Sequence, residues 1–91
     1  MSWNGYIQDP VSAEDITVEN ASFGFGAYEN ALPEVKDQID LAFAKAVSIA
    51  HSGAVGEDKL FRVYVSGHAN PGHEQADGWA NDTITVTVTQ A

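Results

Sequence analysis

The side chains with the most chemical potential in this chain cluster between positions 67 and 82, in the run Gly-His-Ala-Asn-Pro-Gly-His-Glu-Gln-Ala-Asp-Gly-Trp-Ala-Asn-Asp. Two imidazoles, His68 and His73, stand there with three carboxylates, Glu74, Asp77 and Asp82. Imidazole and carboxylate together form a ligand set for Zn, Mn or Fe. Four residues separate His68 from His73, a spacing that matches no tight-site signature and does not align two ligands on one helix face. Hydrogen bonding within a polar loop, with a histidine capping a backbone carbonyl, is the simpler account, so neither a metal nor a cofactor is expected. General acid/base chemistry could draw on His68, His73, Glu74 or Asp77. A nucleophile is harder to find: Ser66 lies two residues before His68, but no nucleophile elbow surrounds it. A chain this short does not readily form a deep pocket by itself. Catalysis is therefore not expected.

A binding role fits the same stretch better. Trp79, flanked by Gly78 and Ala80, suits an anchor residue inside a polar rim. His68, Asn70, His73, Glu74, Asp77 and Asn81 supply the hydrogen-bonding groups of that rim. The competing account is that Trp79 folds back and plugs the open end of a core; both hold if one face of the ring is buried and the other free. Loops longer than about 12–15 residues are usually functional or disordered. Order is expected here, because Asn70-Pro71-Gly72 suits a tight turn and Asp77-Gly78 a second.

The elements that must position this loop are legible on either side of it. Leu60 to Ser66 alternates, with Phe61, Val63 and Val65 on one face and Arg62, Tyr64 and Ser66 on the other. Residues 83–90 alternate more strictly: Ile84, Val86 and Val88 against Thr83, Thr85, Thr87 and Thr89. The two runs are expected to pair antiparallel, with the threonine face towards solvent. Upstream, Leu32, Val35, Ile39, Ala42, Phe43, Ala46, Val47 and Ala50 recur at steps of three and four and predict a helix over 31–52. Asn30 is the expected N-cap, Pro33 falls in the first turn and Gly53 follows the end. Residues 14–29 read as a strand, because Ile16 and Val18 alternate with polar neighbours and Phe23 and Phe25 with Ser22, Gly24 and Gly26, and it is broken or bulged at the glycines. The sequence Gly24-Phe25-Gly26 lacks the third glycine of a nucleotide fingerprint. Residues 1–13 read as an apolar anchor of Trp3, Tyr6 and Ile7 punctuated by the turn signals Asn4-Gly5 and Asp9-Pro10. Residues 54–58 read as a short connection. The sum is an α+β two-layer sandwich in β-α-β-β order, one main helix on a small, mainly antiparallel sheet. So few strands leave edges exposed, and dimerisation through an edge or a sheet face would remove that liability, so a homodimer is one expectation.

Composition sets the frame. Ninety-one residues, 44% of them hydrophobic, suffice for one domain, 1–91, with a packed core. No cysteine is present, which removes disulfides, thiolate metal sites and cysteine nucleophiles and points to a reducing compartment. The N-terminus has neither the basic nor the apolar region of a secretion signal, and no apolar run approaches the roughly 20 residues of a membrane span. Without a secretion signal, Asn20-Ala21-Ser22 and Asn81-Asp82-Thr83 are chance matches to a glycosylation triplet. The net charge is −9. Residues 1–35 hold six acids and no base, 36–62 four acids and all four bases, and 63–91 three acids and no base. With no basic stripe, direct nucleic-acid binding is disfavoured. A basic protein partner suits the charge, and a simple solubility charge suits it better. Mimicry of nucleic acid by Asp9, Glu14, Asp15, Glu19, Glu29 and Glu34 is weak, because these acids are scattered.

The segment Ser66-Gly67-His68-Ala69-Asn70-Pro71-Gly72-His73, continued by Gly78-Trp79-Ala80-Asn81-Asp82-Thr83-Ile84, resembles a stretch in small proteins of unassigned function from tailed phages of actinobacteria. The resemblance covers roughly the C-terminal third of the chain. It implies a phage origin, a location in the host cytoplasm or, alternatively, the virion, and no known activity. With it, the sequence reads as a small host-directed interaction module whose recognition loop is 67–82 and whose partner is a host or phage protein. A virion accessory protein using the threonine face is the alternative, and a metal-binding loop the third reading.

Overall fold

In the computed structural model the described residues are 2–53, 59–69 and 83–91. They form an α+β two-layer sandwich. The antiparallel sheet comprises β1 (Ser2–Val11), β2 (Ser22–Phe23), β3 (Phe61–His68) and β4 (Thr83–Gln90), in the order β2-β1-β3-β4. The helix α1 (Pro33–Ser52) covers one face.

The pair β3–β4 follows the alternation. Val63 stands opposite Val88, Val65 opposite Val86 and Tyr64 opposite Thr87. Phe61, Val63 and Val65 are buried under α1, Ile84, Val86 and Val88 are half-buried there, and the threonines are exposed on the other side. Helix α1 also runs where the periodicity puts it. Its buried stripe is Val35, Ile39, Ala42, Phe43, Ala46 and Ala50, joined by Gln38. Its start differs from expectation: the N-cap is Leu32, not Asn30, with no side-chain cap hydrogen bond, and Pro33 supplies the preset φ of the first turn. Gly53 closes the helix with φ −105°, a conformation any residue adopts.

The first half of the chain departs further. Residues 2–11, read as an anchor with turns, are a ten-residue strand at the centre of the sheet. Trp3, Gly5 and Ile7 face the helix, while Asn4 and Tyr6 face away. Period-2 burial was masked because its middle position is glycine, and Asn4-Gly5 imitates a turn signal. The glycine is there for packing: a Cβ on Gly5 would lie 2.5 Å from the Phe23 ring. Asp9-Pro10 is accommodated where the register with β3 shifts between Ile7 and Val11, since an irregular strand end tolerates the missing N–H. Conversely, residues 14–29 are not one strand. They form short 3-10 turns at Ala13–Asp15, Val18–Asn20 and Tyr28–Asn30, and only Ser22–Phe23 pairs with β1. At Gly26 the chain turns with φ +105°, which glycine alone adopts without strain. The chain order is thus β-β-α-β-β rather than β-α-β-β.

This segment wraps one side of the helix through aromatic contacts. Phe23 stacks on Phe25 at 5.3 Å and meets Phe43 edge-on at 6.3 Å. Tyr28 donates a 2.6 Å hydrogen bond to Asp40 and lies under Lys36, whose ammonium is 5.8 Å from the ring centre. The connection 54–58 lies outside the described residues.

Candidate functional site

Of the residues expected to bind, the structure describes His68; Asn70, His73, Glu74, Asp77, Trp79 and Asn81 lie outside the described residues. So do the order expected for the 67–82 loop beyond Ala69 and the choice between anchor and plug for Trp79. His68 ends β3, opposite Ser2 on one side and Thr83 on the other. Its side chain is exposed, and its Nδ1 shares a 3.2 Å hydrogen bond with Ser2 Oγ. The serine beside this imidazole is therefore Ser2 of the neighbouring strand, not Ser66. A two-residue offset along a strand puts Ser66 on the same face as His68 but one repeat away. Among the described residues no group of three His, Asp or Glu side chains is placed to hold a metal ion. Four of the five ligands weighed for the metal reading, His73, Glu74, Asp77 and Asp82, lie outside them.

What holds His68 in place comes from the helix. Gln38, 6% exposed, accepts a 2.6 Å hydrogen bond from the Trp3 indole N–H and donates a 3.0 Å bond to the His68 carbonyl. A buried amide on an apolar stripe costs free energy unless it is bonded. Here it ties α1 to β1 and to the end of β3. Trp3 itself lies flat against Gly67, its register partner, where a Cβ would approach the indole to 2.7 Å. The sequence signal for Gln38 was its place one step before Ile39 and three after Val35.

The larger surface made by these elements is the sheet face away from α1. Its middle is a pair of tyrosines: Tyr6 and Tyr64 are register partners, 40% and 44% exposed. Around them stand hydroxyls and amides in rows. Asn4 faces Ser66, which faces Thr85; Tyr64 faces Thr87; Arg62 faces Thr89. Although the chain holds thirteen acids, none of the β3 or β4 residues on this face is acidic, and Asn4 and Tyr6 continue the pattern on β1. Two open depressions mark the face. One, of about 680 Å³, runs past Asn4, Phe25, Tyr64 and Ser66 to His68 and Thr83; the other, of about 460 Å³, lies between Tyr6, Gln8, Arg62 and Thr87. Sequence reasoning assigned the threonines to solvent and missed the tyrosine pair, because β1 was not recognised as a strand.

Among the described residues no helix is long and apolar enough to cross a membrane. No known protein family matches the chain, and no curated protein or solved structure is similar to it.

Proposed function

We propose that this chain is a protein-interaction module that binds through the sheet face away from α1, together with the recognition segment 67–82, which begins at the His68 end of β3. The observation that carries this reading is the tyrosine pair Tyr6–Tyr64, exposed at the centre of a face rich in Ser, Thr and Asn within an otherwise acidic chain. Tyrosine offers large, rigid contact area at low entropic cost, and small hydroxyl and amide side chains offer adaptable hydrogen bonds; protein-binding surfaces use this combination. The two depressions are open, which suits a macromolecular surface more than a small substrate. The resemblance of residues 66–73 and 78–84 to proteins of actinobacterial tailed phages supports a phage origin and a host or phage protein as partner, met in the host cytoplasm.

The test is affinity capture from actinobacterial lysate with three baits: the native chain, Tyr6→Ala/Tyr64→Ala, and His68→Ala/His73→Ala/Trp79→Ala, each checked for folding by circular dichroism. The expected result is one protein enriched by the native chain and lost with both folded variants. A partner lost only with the loop variant restricts the site to 67–82. A partner retained by both variants, or none enriched, removes the reading. The second reading, a virion accessory protein, is favoured by the regular threonine face of β4, and detection of the chain in purified virions is its test.

A further inference from the structure

Among the described residues the sheet ends on a strand, β4, whose own sequence carries none of the usual protection of an edge. Natural edges are blunted by charge, proline, a bulge or shortness. β4 reads Thr-Ile-Thr-Val-Thr-Val-Thr-Gln, without charge or proline, and pairs in unbroken register with β3. Among the described residues, nothing pairs with its other side.

The hydrogen-bond phase of that side is fixed by one contact. Ala91 N–H donates to the Leu60 carbonyl at 2.8 Å. Antiparallel partners alternate between bonded and non-bonded pairs, so Thr89, Thr87, Thr85 and Thr83 turn their backbone groups inward to β3. Gln90, Val88, Val86 and Ile84 turn theirs outward. A second β4 laid antiparallel about a two-fold axis through Thr87 meets these groups one for one: Val86 opposite Val88 of the copy, Ile84 opposite its Gln90. The side chains agree, because such a register places threonine against threonine on the open face and apolar against mainly apolar residues on the helix side.

The helix adds an independent observation. Phe43, Asp40 and Lys36 of α1 meet Phe23 and Tyr28, so that flank points to the β2 edge. At about 100° per residue, Leu41 and Ile49 fall on the opposite side of the helix, and α1 packs over β3 and β4. They are 49% and 44% exposed, and on the sheet Ile84, Val86 and Val88 are only half-buried. The distances fit a copy of this chain. α1 packs over β3 and β4; with strands about 4.8 Å apart, a helix over their midline and its two-fold mate are separated by about 10 Å, and packed helices stand about 8–10 Å apart. A foreign extended peptide would satisfy the backbone of β4 but leave Leu41 and Ile49 uncovered. A second copy covers both, and it brings a neutral strand rather than a share of the −9 charge to the contact.

We infer that the chain forms a two-fold dimer by antiparallel β4–β4 pairing centred on Thr87, closed above the sheet by the Leu41/Ile49 flanks of the two helices. This surface is distinct from the proposed binding face and widens it into one continuous sheet carrying two tyrosine pairs. Lys45, exposed between Leu41 and Ile49, lays its alkyl stem across the contact and turns its charge up into water.

The experiment is sedimentation equilibrium at micromolar concentration together with cysteine cross-linking, which the cysteine-free sequence makes clean. The native chain is expected at twice 9.7 kDa. Thr87→Cys is expected to oxidise to a covalent dimer, since non-bonded antiparallel partners have Cα atoms about 4.5 Å apart, within disulfide range. Thr83→Cys is expected not to, because the two Thr83 positions lie about 27 Å apart in this register. Leu41→Lys/Ile49→Lys, at exposed positions that leave the fold intact, is expected to weaken the dimer at least tenfold. A monomeric native chain, or a dimer in which Thr87→Cys fails to cross-link, overturns the proposal. Cross-linking by Thr87→Cys with no effect of the helix variant overturns the helix contact.

Discussion

Gln38 lies on the apolar stripe of α1, where a leucine would satisfy the periodicity better, and it is retained there as a two-ended connector. Its amide oxygen takes the Trp3 indole proton and its NH₂ reaches the His68 carbonyl. Gln38→Leu therefore strips a buried donor of its acceptor and is expected to destabilise the chain by about 1–3 kcal/mol, measured by urea unfolding. Adding Trp3→Phe should recover part of that loss, because it removes the indole donor that Gln38→Leu strands, while the His68 carbonyl still lacks the Gln38 donor; a double variant worse than the sum would contradict this account. Tyr28 makes a different kind of bond. Donation to the Asp40 carboxylate, reinforced by desolvation and by the charges of Asp40, Asp37 and Glu19, pushes its phenol up to about 12 from an ordinary 10.0. A raised folded-state pKa favours the fold below the unfolded value and loses that contribution as pH rises through the folded one. The stabilisation from this bond is thus whole below about pH 10 and lost towards pH 12. Ultraviolet titration should show one phenol ionising near pH 12, absent in Tyr28→Phe and moved down in Asp40→Asn. A difference spectrum unchanged by Asp40→Asn would remove the assigned cause.

The elements divide into those whose burial pattern is complete in their own residues and those that borrow from a neighbour. α1, β3 and β4 belong to the first kind, and their periodicity placed them. β1 belongs to the second: its core face is Trp3, Gly5, Ile7, and the volume missing at Gly5 is filled by Phe23 from β2. No alternation count finds a strand whose middle core residue is supplied by another segment. Gly67 repeats the device under Trp3. Gly67→Ala, which forces a methyl against a buried indole, should cost about 1–3 kcal/mol, whereas the same change at Gly53, which meets nothing within 4 Å, should leave the melting temperature near the native value. The helix start offers a gain. Leu32 holds the N-cap position in an extended conformation without a side-chain cap, so Leu32→Ser is expected to stabilise by about 0.5–1 kcal/mol, and Asn30→Ala to change little. Thermal melts of the two variants would reverse this account if Asn30→Ala proved the costlier.

At the scale of the whole molecule, thirteen acids against four bases make the folded chain repel itself. Raising the salt from millimolar to physiological concentration, where the Debye length contracts to about 8 Å, should raise the melting temperature. A fall would point to ion pairs outweighing the net repulsion. The charge is arranged as well as large: β3 and β4 carry no acid, so these two strands bring no carboxylate to the tyrosine face or to the β4 edge.

The sequence alone determined the two-layer α+β class, the main helix, the β3–β4 pair and the solvent-facing threonines. These follow from periodicity, which is local and survives without knowledge of neighbours. Only the tertiary structure decided that residues 2–11 lie at the centre of the sheet, that Gln38 is a buried connector, and that Tyr6 and Tyr64 stand side by side on the open face. Each of these depends on a partner distant in sequence: Phe23 over Gly5, Trp3 and His68 against Gln38, β1 against β3. A residue's role is legible in sequence when its own neighbours complete its environment. It passes to the fold when packing completes that environment from elsewhere.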